Sequence, residues 1–183
     1  QALQLEKQGY GYVVSSVGNL GGIVPYTVYN ARKSYIEENP DIIEIDVRET
    51  LDGELVVMHD KTVDRTTNGH GAVDQLTWRA IKALKLVNRG SITPYSPISL
   101  EEALLLAKGK IMVDLDVKVS TEASFLKIAH MIKRLGLQHQ VFVFLYQAKD
   151  LEPMSSILED ITLMPRARSI ADMAAISTTN TTR

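Results

Sequence analysis

An α/β fold built on a mainly parallel sheet is what the sequence predicts, and three observations predict it. Apolar runs of strand length alternate with helical stretches along most of the chain. The helical stretches carry their own start and stop signals. Turn dipeptides such as Asp52-Gly53 and Asn68-Gly69 separate the segments. Repeated strand–helix alternation puts helices outside a parallel sheet, and both closed (β/α)₈ barrels and open doubly wound sheets obey that rule. The 183 residues fit one domain, 1–183, or one generous domain with an insertion. No internal repeat, clean linker or dinucleotide fingerprint is present, because Gly18-Asn19-Leu20-Gly21-Gly22 lacks the required glycine order.

The elements follow in order. Tyr10–Ser16, rich in Tyr and Val, reads as a strand, and Val28–Asn39 as a helix stopped by Asn39-Pro40. Ile42–Val47 is a second strand and Glu54–Met58 a third, joined through Asp52-Gly53. A polar segment, Asp60–Asp74, leads to a helix over Thr77–Leu86 with Thr77 as cap, then to a loop over Asn88–Pro97. Ser99-Leu100-Glu101-Glu102 has capping-box spacing and opens a helix to Ala107. Lys110–Val117 is a fourth strand. Ser120 or Thr121 caps a helix to Leu135, whose Phe125, Ile128, Ala129 and Ile132 share a face and which ends before Gly136. Gln140–Tyr146 and Asp160–Met164 are the fifth and sixth strands, with a short helix between them. The Thr-rich tail, Ser177–Arg183, is expected to fray.

Composition excludes several classes. Hydrophobic residues make up 45% and charged residues 23%, which is ordinary for a globular chain and argues against wholesale disorder. Such a chain buries roughly 70% of its unfolded surface. The longest apolar runs, such as Val141–Tyr146, are far short of a membrane span. Net charge is −2 with no basic tract, so nucleic acid is not an expected partner. The absence of cysteine excludes disulfides, thiolate metal sites and cysteine nucleophiles. The chain opens on Gln1 without a basic-then-apolar leader, so a trimmed form is expected, soluble and either cytoplasmic or exported with its leader removed.

Chemistry is concentrated in two strands. In Ile42–Arg48, Glu44, Asp46 and Arg48 share one strand face, and Ile43, Ile45 and Val47 the other. Two carboxylates on one face repel, and desolvation adds to the cost. A solvated strand face answers that cost; so does a divalent cation with oxygen ligands. Met112–Lys118 repeats the pattern, with Asp114, Asp116 and Lys118 aligned. Ligands of such folds bind at strand ends. His59-Asp60 follows the third strand directly, which makes His59 a candidate general acid or base or a plain surface residue. Arg65 is an anion ligand or simply solvated. His70, His130 and His139 have weaker claims.

These residues resemble the glycerophosphodiester phosphodiesterase family. Glu44-Ile45-Asp46, Thr50-Leu51-Asp52-Gly53, Val56-Val57-Met58-His59-Asp60 and Arg65-Thr66-Thr67-Asn68-Gly69 match its E-x-D, T-x-D-G, V-x-H-D and R-T-T-x-G run in order and spacing. Pro97–Leu104 is similar to its I-P-T-L-E-E-x-L element, and Asp114–Lys118 to its strand ending in E-x-K, with Asp for Glu. Leu163-Met164-Pro165 fits a later strand, and the similarity covers roughly residues 10 to 168. The resemblance implies a (β/α)₈ TIM-type barrel, here short or incomplete, with a small insertion after the third strand at about residues 60 to 95. It implies Ca²⁺ or Mg²⁺ held by Glu44, Asp46 and Asp116. It implies hydrolysis of a small-molecule glycerophosphodiester to glycerol 3-phosphate and an alcohol, with His59 and Lys118 catalytic and Lys118 and Arg65 near the substrate. The oligomeric state stays open.

The departures are specific. Ser16 and Val17 stand where the family's H-R-G has its histidine and arginine, and Val24-Pro25-Tyr26-Thr27 replaces P-E-N-T. Serine cannot shuttle a proton near neutral pH, and losing a positioned acid–base group typically costs about 10²–10⁴-fold in rate. An impaired enzyme, or a non-catalytic relative that binds a cation and a phosphodiester or partner, is the alternative. A different metal-dependent barrel phosphoesterase is a third reading. A closed barrel usually needs about 250 residues, so the chain is incomplete or its last strands are divergent or absent.

Overall fold

A computed structural model describes residues 42–119 and 121–180. The first strand and helix expected from sequence, Tyr10–Ser16 and Val28–Asn39, lie outside the described residues, as do Ser16, Val17 and Tyr26. Among the described residues, β1 (Ile42–Glu49), β2 (Leu55–Val57), β5 (Met112–Val117), β6 (Val141–Leu145) and β7 (Thr162–Pro165) form one sheet in the order β2-β1-β5-β6-β7. β1, β5, β6 and β7 run parallel. β2 runs antiparallel to β1, pairing Val47 with Val57 and Glu49 with Leu55. The Asp52-Gly53 turn expected from the sequence accounts for this return in an otherwise parallel sheet. Parallel neighbours need a long crossover, whereas a short turn permits only an antiparallel return. The Thr50 Oγ1 donates to Asp52 at 2.6 Å and accepts from the Glu54 N–H at 3.0 Å. Gly53 closes the turn at φ +82°, a conformation open to glycine.

The crossovers are helical. α1 (Trp78–Lys82), α2 (Leu100–Ala107), α3 (Glu122–Leu135), α4 (Leu151–Ile157) and α5 (Ile170–Asn180) follow in chain order. Ser99 and Glu102 form the full capping box of α2. Thr121 is the cap of α3, accepting from the Ser124 N–H at 3.2 Å, and Ser120 lies outside the described residues. Gly136 ends α3 in the left-handed conformation. Ser169 and Asp172 cap α5 reciprocally, the helix runs to Asn180, and the end of the Thr-rich tail, 181–183, lies outside the described residues.

The main core forms between sheet and helices. Val113, Leu115 and Val117 of β5 point one way and meet Phe125, Ile128, Ala129 and Ile132 of α3, all buried. On the opposite face of β5, Asp114 is buried and Asp116 half-buried. Period-two alternation therefore puts apolar side chains under the helices and acids on the other side of the sheet.

Glu49 ties the end of β1 to α3. It takes 2.5 Å from Lys127 Nζ and a short hydrogen bond from Ser124 Oγ. Burial pushes the Glu49 carboxyl up, but the bonds from Lys127 and Ser124 outweigh it and leave the group below its ordinary range. A carboxylate depressed in the folded state stabilises above its unfolded pKa, and that stability is lost as pH falls through the folded value. Melting temperature measured between about pH 6 and pH 3 is expected to drop more steeply in wild type than in Glu49→Gln, with parallel curves excluding the tie.

A second small core underlies the insertion. Val56, Met58, Val63, Val73 and Ile81 are buried together, with Leu76, Trp78 and Leu84 packed against them. Here two expectations need correction. The helix after Thr77 spans Trp78–Lys82 only, because Asn68 captures Lys85: its Oδ1 accepts the Lys85 N–H at 2.8 Å and its own N–H meets the Lys85 carbonyl at 3.0 Å. The loop over Asn88–Pro97 contains a hairpin, β3 (Val87–Asn88) and β4 (Ser91–Ile92). Its turn residues Arg89 and Gly90 both have positive φ, at 49° and 81°, as a tight two-residue hairpin requires. A Cβ on Gly69 would lie 2.5 Å from Leu84 Cδ1, so Asn68-Gly69 serves packing.

Candidate functional site

Register brings the acids together. β1 and β5 pair Asp46 with Asp116 and Glu44 with Asp114. Side chains at matching positions of parallel neighbours share a face, so Glu44, Asp46 and Asp116 converge, with one ligand oxygen of each within 4.8 Å of the others. Glu44 is exposed; the Asp46 and Asp116 side chains retain 16% and 18% of their exposure, which is low enough for charge to act strongly.

Lys118 is the counter-charge. Its Nζ lies 2.5 Å from Asp116 Oδ2 and 3.0 Å from Asp46 Oδ1. It also donates to the Tyr146 hydroxyl at 2.6 Å, and that hydroxyl donates to Asp116 Oδ1 at 2.5 Å. Burial alone would pull the Lys118 ammonium down, but its bonds to Asp116, Tyr146 and Asp46 reverse this and hold it firmly protonated. Burial, with Asp116 next, raises the Tyr146 phenol. The Glu44 carboxyl is pushed up by desolvation first and by Asp46 and Asp116 second. One ammonium against three carboxylates leaves two negative charges in surplus. An all-oxygen donor set with that surplus fits a hard divalent cation.

A second group lies beside the first. Met58 N–H reaches the Asp46 carbonyl at 3.0 Å, and Arg48 grips the His59 carbonyl with Nε and Nη2 at 2.9 and 2.8 Å. His59 follows β2 and stays exposed, with Nδ1 2.7 Å from Asp60 Oδ1. Arg65 reaches Asp60 with Nε at 2.6 Å and Nη2 at 3.0 Å, so both donors are spent on that carboxylate.

The remaining histidines stand apart from both groups. His70 pairs with Asp64 at 3.3 Å in the open, and His130 and His139 are exposed on α3 and the turn after it. Two participants escaped sequence reading. Tyr146 ends an apolar run and gives no local cue; only pairing of β5 with β6 sets it against Asp116. Arg48 was visible on the acid face, but its partner, a backbone carbonyl on another strand, was not.

A part of a TIM-type α/β barrel, carrying an acidic rim site beside a histidine, is the class that fold and site define. The glycerophosphoryl diester phosphodiesterase family model matches residues 30–150, and the chain belongs to that family. A glycerophosphodiester phosphodiesterase of Caldanaerobacter subterraneus subsp. tengcongensis is 52% identical over 61 residues, which make up 33% of this chain and 25% of that protein. The uncharacterized protein YqiK of Bacillus subtilis is 30% identical over 129 residues, covering 67% of this chain and 53% of its own length. Among solved structures, a glycerophosphoryl diester phosphodiesterase from Parabacteroides distasonis superposes with a TM-score of 0.68 at 25% identity, over 81% of this chain and 51% of that one. A glycerophosphodiester phosphodiesterase from Agrobacterium tumefaciens gives 0.59 at 31% identity, over 68% and 53%. The chain thus spans about half or less of the length of these relatives. No helix among the described residues is long and apolar enough to cross a membrane.

Proposed function

We propose that the chain carries the site of a cation-dependent phosphodiesterase that splits glycerophosphodiesters into glycerol 3-phosphate and an alcohol. The observation that carries this is the meeting of Glu44, Asp46 and Asp116 around Lys118, with two negative charges left over. Glu44, Asp46 and Asp116 would hold Ca²⁺ or Mg²⁺, which when bound supplies charge stabilisation at the phosphoryl oxygens. Lys118 stands at the same rim with a fixed positive charge and orients the phosphate electrostatically. His59 exchanges a proton with the reacting oxygen, within reach of substrate because its ring is exposed. The reading takes residues 1–183 as one domain with the insertion at about 60–95.

The test is release of glycerol 3-phosphate from glycerophosphocholine, with and without EDTA. EDTA is expected to abolish it, and His59→Ala to reduce it by about 10²–10⁴-fold. Release indifferent to both treatments overturns the reading.

Ser16 supports a second reading, a relative that binds a cation and a diester without turnover. With serine at that place, His59 carries the proton transfer without a second imidazole. Ser16→His is therefore expected to raise kcat by about 10-fold or more. Cation binding by calorimetry with no turnover in either protein favours the binding module.

A further inference from the structure

The imidazole of His59 rests on one carboxylate, Asp60, which Arg65 grips in turn, and stability does not explain the arrangement. His59 and Arg65 side chains are 65% and 66% exposed, and exposed ion pairs contribute little to folding. Yet the Arg65 guanidinium meets Asp60 with a two-point fork, 2.6 Å to Oδ2 and 3.0 Å to Oδ1. The same Oδ1 lies 2.7 Å from His59 Nδ1. A fork of this kind fixes the plane of a carboxylate as well as its position. The Arg48 fork fixes the His59 backbone from the other side.

We propose that Asp60 and Arg65 are positioning residues for His59: Asp60 accepts a hydrogen bond from Nδ1–H and leaves Nε2 as the working nitrogen, and Arg65 locks Asp60 in place. The use of that nitrogen rests on the acid–base reading given above. A carboxylate is acceptor-only, so the ring nitrogen facing it must be the one that carries hydrogen. Asp60 stays a carboxylate, because Arg65 first and His59 second hold its carboxyl well below the usual range. The other charged groups around the ring are Glu44, whose charge interacts with it across the strand pair, and Arg48, which is committed to the backbone carbonyl. Neither offers Nδ1 an acceptor in place of Asp60. Arg65, with Nε and Nη2 both bonded to Asp60, then acts on substrate through His59.

Two measurements on the whole chain separate this from its alternatives. Imidazole ¹⁵N shifts of the cation-free protein read the tautomer without any turnover. Neutral His59 is expected to show Nδ1 protonated and Nε2 free in wild type, and a mixture in Asp60→Asn, as the amide can present either a donor or an acceptor. Kinetics read the role of Arg65. As a positioning residue, Arg65→Ala lowers kcat about 10–100-fold with KM little changed, as loss of a histidine's outer partner does, and Arg65→Lys recovers only part of it. An unchanged tautomer in Asp60→Asn overturns the proposal. So does a rise in KM at constant kcat in Arg65→Ala, which assigns Arg65 to substrate binding. A shifted tautomer with His59→Ala fully active leaves the positioning intact and removes the acid–base reading it serves.

Discussion

Asp46→Asn is expected to lower kcat/KM for glycerophosphocholine by about 10³-fold and to weaken Ca²⁺ or Mg²⁺ binding in calorimetry. Asparagine is nearly isosteric and can still accept from Lys118, so packing is preserved and only charge is lost. Asp46 sits centrally, half-buried, paired in register with Asp116 and 3.0 Å from the Lys118 ammonium. A cation that stabilises transition-state charge supplies several kcal/mol, and 10³-fold corresponds to about 4 kcal/mol. Glu44→Gln, at the exposed edge of the cluster, is expected to cost less. Circular dichroism should match wild type for both. A variant Asp46→Asn with native cation affinity and native turnover would show that the acids serve solubility alone.

Lys118→Met is expected to lower the melting temperature of cation-free protein, and millimolar Ca²⁺ is expected to reverse most of the loss. The ammonium sits between two carboxylates at 2.5 and 3.0 Å. Removing one member of a buried pair costs 3–5 kcal/mol, and residual solvent screening at this rim reduces that to about 1–3 kcal/mol. For a chain of this size the change is about 2–10 °C. A divalent ion in the same acidic cluster takes over the neutralising role and stabilises by mass action. Activity should fall even at saturating Ca²⁺, because the ion replaces the charge of Lys118 and not the place beside the phosphate that the proposed function gives it. Equal melting temperatures with and without Ca²⁺ in both proteins would detach Lys118 from any cation site.

What was legible in the sequence was local. Alternation in Ile42–Arg48 and Met112–Lys118 announced which side chains share a face, because a strand has a fixed period of two. The cap signals at Thr77, Ser99 and Thr121 located helix starts, since each cap bonds within its own first turn. The specific run from Glu44 to Gly69 pointed to the family that the match over residues 30–150 establishes. What was not legible was pairing across the chain. Only the pairing of β5 with β6 puts Tyr146 against Asp116, and only the pairing of β1 with β5 sets Asp46 beside Asp116. Even within the motif run, residues divide by task. His59, Asp60 and Arg65 form one linked group at the rim, whereas Asn68 and Gly69 clamp Lys85 and fit under Leu84.

The two cores have a consequence for how such a site drifts over time. Met58, immediately before His59, is buried with Val63, Val73 and Ile81 under the insertion, whereas Val117, next to Asp116, packs in the main core against α3. In the proposed function, ion capture and proton transfer are thus rooted in separate foundations. Substitutions that loosen one can accumulate while the other keeps its geometry, so a lineage can lose turnover and still hold its metal, or retune its substrate without rebuilding the barrel.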